Sequence, residues 1–391
     1  MGKVLPAAAW TQREDLAGLI SALGADNARY VGGAVRDTLL GLGVKDIDLA
    51  TPLVPDEVIA RLKAAKIRTV PTGIAHGTIT ALLNEGPVEI TTLRHDVSTD
   101  GRRATVAFAQ DWRDDAARRD FTINALYADP ASGEISDYFG GLDDLAARRV
   151  RFIGNARERI REDHLRILRY FRFQARFGSQ PADPESENAC AELAPTLKAL
   201  SRERIGMEML NLLALPDPAP TVARMAELGV LAVVLPEATA EPLVALVAEE
   251  QRQHISPDPL RRLAALLPAD VNQVDHVAVR FRLSGAQRKR LANAARRDPG
   301  QPEPAHALAY RFGIDQALDR LLLAGADASP LTGWHIPVFP LKGGEIVARG
   351  VTVGPEVARI LRAVEDRWVA EAFPDKARVE ELLAEELGRT G

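Results

Sequence analysis

A single cysteine, Cys190, stands among 391 residues, which leaves no material for a disulfide framework or a CxxC zinc site and points to a reducing compartment. The seven histidines are scattered without HExxH-like spacing. Long apolar runs are missing too: no stretch reaches the roughly 18 uncharged residues of a membrane span. The opening MGKVLPAAAWTQRED is broken by Pro6 and followed by charges, unlike a secretory signal. A soluble, cytoplasmic chain with no disulfide partner and no membrane contact is expected. Aromatic residues make up only 5%, yet 46% hydrophobic and 26% charged residues form a globular composition with length for two or more domains. Fixed-period repeats, low-complexity tracts and sustained heptads are absent. The formal net charge of -5, taken over the whole chain, argues against a polyanionic partner.

The pattern changes along the chain. From Asn27 to about Arg151, short apolar runs (ARYVGG, KDIDLAT, GTITALL, VEITTLR) alternate with turns and helices, including a predicted helical stretch around Arg119 to Ala128. Beyond about position 150 the strands stop. Amphipathic helices follow, punctuated by PADP, PDPAP, PGQPEP and IPVFP.

Four segments carry chemistry. Lys45 to Ala50 reads as a strand whose period of two puts Asp46 and Asp48 on one face and Ile47 and Leu49 toward the core. Paired carboxylates on a rigid strand suit hard divalent cations, and two such ions about 4 Å apart can serve both the attacking and the leaving oxygen of an in-line displacement. An isolated DxD is equally the polar face of an edge strand. Upstream, Tyr30-Val31-Gly32-Gly33-Ala34-Val35-Arg36-Asp37 runs from strand through two glycines into a helix, a turn that lets main-chain N–H groups and Arg36 approach phosphates; the plain alternative is an ordinary strand-to-helix turn. Neither a P-loop nor a GxGxxG fingerprint is present. In DWRDDAARRDFTINALYAD, Ile123, Leu126 and Tyr127 are spaced for one buried helical face. Arg118, Arg119 and Asp120 are then a surface cluster or give Arg119 a phosphate, and Asn124 touches a nucleotide or is merely exposed. Finally, Glu162 to Phe173 is helical in pattern, with Asp163, Arg166, Arg169 and Arg172 recurring every third residue as a ramp. Asp163 and Arg166 can offer an acceptor and a forked donor to the edge of a base, or simply pair with each other.

In order and spacing these segments resemble the class II tRNA nucleotidyltransferase and bacterial poly(A) polymerase family of the polymerase-β superfamily. GGAVRD with KDIDLAT is similar to the family's first motif, RRDFTINAL to its second, and EDHLRILRYFRF to its nucleotide-selecting helix, with His164 where relatives usually have proline. The resemblance implies an α+β fold: an N-terminal helix (1–26), a nucleotidyltransferase head of mixed sheet and flanking helices (27–150), an all-α RNA-binding neck (151–235), and a helical body and tail (236–391). It further implies Mg²⁺ on Asp46 and Asp48. The incoming nucleotide would fall to Gly33, Arg36 and Arg119, base selection to Asp163 and Arg166, and the rest of the pocket to Arg169 and Arg172. The activity implied is template-independent addition of C, C and A from CTP and ATP to the tRNA 3′ end, with the acceptor stem and elbow as contacts; poly(A), CC-only and A-only addition share these motifs. Residues 98–105 fall where CCA-adding members have a flexible loop. Glu89 is a candidate third metal carboxylate or a partner of Arg94 or Lys45, and the isolated His95-Asp96 is expected to be incidental.

Charge, taken locally, reverses the first impression. Residues 148–176 hold ten arginines against three acids, and 280–297 hold seven basic residues and no acid. Two segments at +7 each leave the rest of the chain at -19, so RNA binding on one basic side is expected, with salt-sensitive affinity. Ser201 is a candidate N-cap, and Trp368 and Phe373 are expected to pack between helices rather than stack on bases.

Overall fold

A computed structural model describes residues 3–100, 103–109, 111–297, 304–352 and 354–389. The chain divides into two compact units, Met1–Pro236 and Glu237–Gly391.

The first unit is built on a seven-stranded mixed sheet of order β3-β4-β5-β2-β1-β8-β9. Its strands are β1 (Arg29–Val31), β2 (Ile47–Thr51), β3 (Arg68–Gly73), β4 (Thr78–Leu83), β5 (Gly86–Thr92), β8 (Leu126–Ala128) and β9 (Ile135–Asp137). The pair β6 (Arg94–Asp100) and β7 (Arg103–Phe108) forms a separate hairpin. The tip of the expected flexible loop, residues 101 and 102, and the side chains of His95 and Asp96 lie outside the described residues. Strands β2 and β5 run parallel; the other pairs in the large sheet are antiparallel.

Helices α1 (Glu14–Leu23), α2 (Gly33–Leu39) and α3 (Pro55–Ala64) pack around this sheet. In α3, Pro55 pre-sets the first turn, Asp56 and Glu57 sit at the positive end of the dipole and Arg61 and Lys63 at the negative end, while Val58 and Leu62 are buried. Next come α4 (Trp112–Ala117), α5 (Gly141–Ala146), α6 (Ala156–Glu162), α7 (Arg166–Phe177), α8 (Pro184–Leu193) and α9 (Arg202–Leu213). Leu168 and Phe171 of α7 are buried, as are Tyr170, Phe173 and Phe177, so its aromatic face is core.

Three local expectations are corrected. Residues 119–128 are not a helix: α4 ends at Ala117, Thr122–Asn124 form a tight 3₁₀ turn, and β8 follows. Ile123, Leu126 and Tyr127 are buried as expected, but a buried turn leading into a buried strand satisfies the same spacing, and pairing of Tyr127 with Val31 decides the outcome. The helix expected over 162–173 breaks at Asp163, whose backbone is extended (φ -149°, ψ 107°). That extended backbone takes Asp163 off the helix and leaves α7 to begin at Arg166. Third, Ser201 sits at the N-cap of α9, but its side chain makes no capping bond.

The second unit is all helical and has two apolar clusters. Trp368 and Phe373 pack in one of them, with ring centroids 4.9 Å apart. Beneath the helix Pro259–Leu266 lies a buried ion network: Glu250 accepts from Arg261 (2.7 Å) and Arg262 (2.8 Å), and Asp319 accepts from Arg261 (3.0 Å) and Arg290 (2.6 Å). Arg262 and Glu250 are each 1% exposed. Removing one partner strands a buried charge, so Glu250→Ala is expected to cost about 3–5 kcal/mol; a melting temperature within a degree or two of wild type would refute that estimate.

Candidate active site

Strand β1 delivers the chain to Gly32 at φ +71°, a left-handed backbone that an L side chain seldom adopts, and Gly33 then opens α2. Two guanidinium groups flank the pair. A Cβ on Gly32 would lie 3.4 Å from Arg119 Nη1, and one on Gly33 3.7 Å from Arg36 Nη2. Gly33, Arg36, Asp37, Lys45, Asp46, Asp48 and Arg176 line one cleft of about 790 Å³. The structure therefore brings the glycine turn, both aspartates and Arg36 together.

Both arginines are held before any ligand arrives. Arg119 donates to Tyr127 Oη (3.1 Å) and Asp115 (3.2 Å), while the Tyr127 hydroxyl donates to Asp115 at 2.6 Å. Burial disfavours the Arg119 cation, but Tyr127 and Asp115 outweigh it and raise its pKa above the ordinary value. Arg36 is buried over the face of Phe177, 4.0 Å from the ring centroid. It donates to Asp37 (2.7 Å) and to Asn124 Oδ1. Asn124 is thus neither exposed nor free: its amide donates to Asp120 (3.0 Å), whose other oxygen accepts from Arg169 Nε (2.9 Å). Arg176 reaches Asp37 at 3.4 Å. The path Arg169–Asp120–Asn124–Arg36–Asp37–Arg176 leaves α7, crosses the head and returns to α7.

The turn carrying Asp120 and Asn124 is itself clamped. Thr122 donates to buried Asp144 at 2.6 Å. The first residue of α5 must be glycine, because a Cβ on Gly141 would stand 2.3 Å from the Thr122 carbonyl oxygen. Asp120, read from sequence as part of a surface cluster, is instead buried. Burial opposes its charge, but Arg169, Asn124 and the Phe121 N–H outweigh that and keep its pKa below the ordinary carboxylate value. A carboxylate entering the apolar run FTINALY was a signal that a paired cation lay elsewhere in the chain.

Asp48 lies on β2, whereas Asp46 immediately precedes the strand. Parallel register puts Glu89 of β5 directly beside Asp48. Burial, then Glu89, then Asp46 push the Asp48 carboxyl up to about 6, against the opposing pull of Arg119. Among the described residues no three His, Cys, Asp or Glu side chains already form a closed metal cage. The chemistry of the donor set nevertheless fits a hard divalent cation: carboxylates crowded enough to raise one pKa are relieved by positive charge.

The ramp expected for Asp163, Arg166, Arg169 and Arg172 loses its first member, since α7 carries only its three arginines. Asp163, off the helix, pairs with Arg204 of α9 at 2.7 Å. Arg166 pairs with Glu162 and donates to the main-chain oxygens of Arg159 (2.8 Å) and Arg118 (3.3 Å). Arg169 is tied to Asp120, and Arg172 to Glu208 at 2.7 Å. The two basic zones are likewise tempered. Eight of the ten arginines in 148–176 are ion-paired, with acids as distant as Asp37 and Glu208. In 280–297, Arg280, Arg288 and Arg290 pair with Glu237, Asp275 and Asp319, and Arg297 turns inward to the Leu267 carbonyl.

Residues 28–151 match the family model of the poly A polymerase head domain, and residues 182–241 that of a probable RNA and SrmB-binding site of polymerase A. The mitochondrial CCA tRNA nucleotidyltransferase 1 of Danio rerio is 38% identical over 365 residues, covering 87% of this chain and 83% of the relative. Its Homo sapiens counterpart is 35% identical over 376 residues, covering 91% and 85%. Among solved structures, the Bacillus stearothermophilus CCA-adding enzyme in complex with CTP aligns with a TM-score of 0.75 at 27% identity, over 96% of this chain and 98% of that one. The Thermotoga maritima CCA-adding enzyme complexed with tRNA has a TM-score of 0.69 at 20% identity over the whole of both chains, a likeness of fold.

Two outcomes are expected. With its folded pKa raised from 3.8 to about 6, Asp48 binds more protons folded than unfolded, so its ionisation lowers the stability of metal-free protein as pH rises through that window. Asp48→Asn is therefore expected to stabilise metal-free protein at pH 8 by up to about 3 kcal/mol, with the difference fading below pH ~4; a pH-independent difference in melting temperature would refute this. Asn124→Ala removes the link between Arg36 and Asp120 and is expected to weaken binding of a nucleoside triphosphate in the cleft by about 1–3 kcal/mol. Calorimetry returning wild-type affinity would show that Arg36 holds its place without it.

Proposed function

The chain belongs to the CCA tRNA nucleotidyltransferase family, and from that membership we propose that it adds C, C and A to tRNA 3′ ends from CTP and ATP, releasing pyrophosphate. The observation that carries this reading is the reach of the likeness: relatives bearing that name are matched over 87% and 91% of this chain, beyond the segments 28–151 and 182–241 that match the polymerase A models.

The site supports a mechanism in which protein groups mainly position the reactants. Gly32, Gly33, Arg36 and Arg119 receive the triphosphate, and each carboxylate shared between two arginines leaves positive charge to spare for it. Asp163 and Arg166 read the base edge, with Arg169 and Arg172 fixing the wall that carries them. Asp46 and Asp48, with Glu89 alongside, would hold Mg²⁺, which supplies charge neutralisation at the α-phosphate and a lowered pKa for the attacking ribose hydroxyl. The neck (151–235) and the body and tail (236–391) take the acceptor stem and elbow. We place the protein in the cytoplasm, as its single buried cysteine suggests, although its vertebrate relatives are named mitochondrial. Among the described residues no helix is long and apolar enough to cross a membrane.

The test is to incubate protein and Mg²⁺ with tRNA ending at the discriminator base, supply CTP and ATP singly and together, and sequence the 3′ ends. Growth ending at CCA is expected. Long A tails, or a halt at CC with ATP present, would replace this reading with poly(A) or CC addition. Asp46→Ala should abolish incorporation while retaining tRNA binding, and Asp163→Ala or Arg166→Ala should relax the choice of CTP over UTP.

A further inference from the structure

Most of the donors on Arg36 are already spent. Its Nε and Nη2 both lie on Asp37 Oδ1, at 2.7 and 2.6 Å, Nη1 donates to Asn124, and its face rests on Phe177. A guanidinium offers five N–H donors in a fixed fork, so a buried arginine engaged through all three nitrogens places charge at the cleft wall but has little reach into it. Burial lowers its pKa below the ordinary arginine value, Asp37 opposes that shift, and the neighbouring Arg176 cation adds to it.

Arg176 is held quite differently. It stands in the last turn of α7 and, of the four arginines on that helix, it alone lines the cleft that contains Asp46 and Asp48. Arg169 and Arg172 are held by carboxylates at 2.9 and 2.7 Å, and Arg166 by Glu162 and two main-chain carbonyls. The one polar contact of Arg176 among the described residues runs from Nη2 to Asp37 Oδ2, the oxygen that Arg36 leaves open, at 3.4 Å. A charge-assisted N–H···O bond of ordinary strength measures about 2.8 Å, and the Arg176 side chain is 42% exposed, so this pair is loose and screened by solvent. Its guanidinium lies 4.9 Å from the Phe177 ring that also carries Arg36. Two cations thus share one ring and one carboxylate, which leaves the group one positive charge in excess. With the α-phosphate of a nucleotide at Asp46 and Asp48, where the bond exchange takes place, its β- and γ-phosphates extend along the same cleft. The arginine with donors to spare for them is Arg176.

We propose that Arg176 is the residue that distinguishes a nucleoside triphosphate from its monophosphate, leaving Asp37 for the terminal phosphates of the incoming nucleotide and returning to Asp37 when pyrophosphate departs. The inference rests on the nucleotidyl-transfer reading and adds a specificity residue to its cleft.

Calorimetric titration of the full chain with CTP and with CMP, in Mg²⁺ and without tRNA, tests it. Arg176→Gln is expected to weaken CTP binding by about tenfold or more and to leave CMP within about twofold of wild type, because CMP lacks the phosphates that Arg176 reaches. Arg176→Lys keeps the charge and is expected to bring CTP binding back to within about fourfold of wild type. Lys198→Gln, which removes an exposed cation that does not line the cleft, is expected to leave both affinities within about twofold. An Arg176→Gln protein that binds CTP as wild type does, or that loses CTP and CMP alike, overturns the assignment; the second result would make Arg176 a structural partner of Asp37 only. Should the variants fold poorly, wild-type protein is labelled with phenylglyoxal, an arginine reagent, and modification of Arg176 is followed by mass spectrometry. Protection by CTP and by inorganic pyrophosphate but not by CMP supports the exchange, whereas labelling that CTP leaves unchanged, or that CMP suppresses equally, overturns it. Wild-type protein that binds no CTP at all would instead remove the nucleotidyl-transfer reading itself.

Discussion

The Asp120 carboxylate is the constraint on which the site depends. One oxygen takes the Phe121 N–H (2.9 Å) and the Asn124 amide (3.0 Å), and the other takes Arg169 from a helix that begins 46 residues downstream of it. A buried, ionised carboxylate is tolerated only when its lone pairs are filled, so the turn at 121–124 and α7 must keep their mutual placement. Through Asn124 the same carboxylate fixes Arg36, and Arg36 with Asp37 returns the constraint to Arg176. Without Asp120, α7 and the glycine turn would be free to shift independently.

Electrostatics within this frame follow a repeated arrangement. Asp37 is shared by Arg36 and Arg176, and Asp115 by Arg118 and Arg119. One carboxylate between two guanidinium groups orders both without neutralising both. The cations are kept in place at low entropic cost, and an excess of positive charge persists beside the glycine turn. The carboxylates of Asp46 and Asp48 form the opposite pole of the same cleft, with Glu89 in register beside Asp48, and the raised Asp48 pKa records their crowding. A substrate carrying both phosphate and a divalent cation satisfies the two poles together.

Legibility in the sequence followed the range of each interaction. The DxD pair and the double glycine are local patterns whose chemistry is set by residues one or two positions apart, and a head of alternating strands and helices before a helical remainder could be read from periodicity. Asp120, Asn124 and Tyr127 were not legible as a network because their partners lie far along the chain or in another element; alone, each resembles surface polarity or core. Residues 119–128 misled because Ile123, Leu126 and Tyr127 bury equally well from a turn and strand. The local surplus of arginine at 148–176 overstated the field for the same reason: Asp37, Asp120, Asp144 and Glu208 answer it from outside the segment. Sequence charge is additive along the chain, whereas the field is summed in space.

On the proposed reading, in which Asp163 and Arg166 face the base edge, the break at Asp163 changes how base selection is to be understood. On a continuous helix, Asp163 and Arg166 would move as one body with α7. Instead Asp163 is oriented by Arg204 of α9, and Arg166 by Glu162 and two main-chain carbonyls, one from the end of α6 and one from the segment after α4. An acceptor and a donor held from different elements define a base edge only while those elements keep their spacing. On that reading the anchors on Asp163 and Arg166 order the pair before a nucleotide enters, so that little of the binding energy is consumed in assembling it.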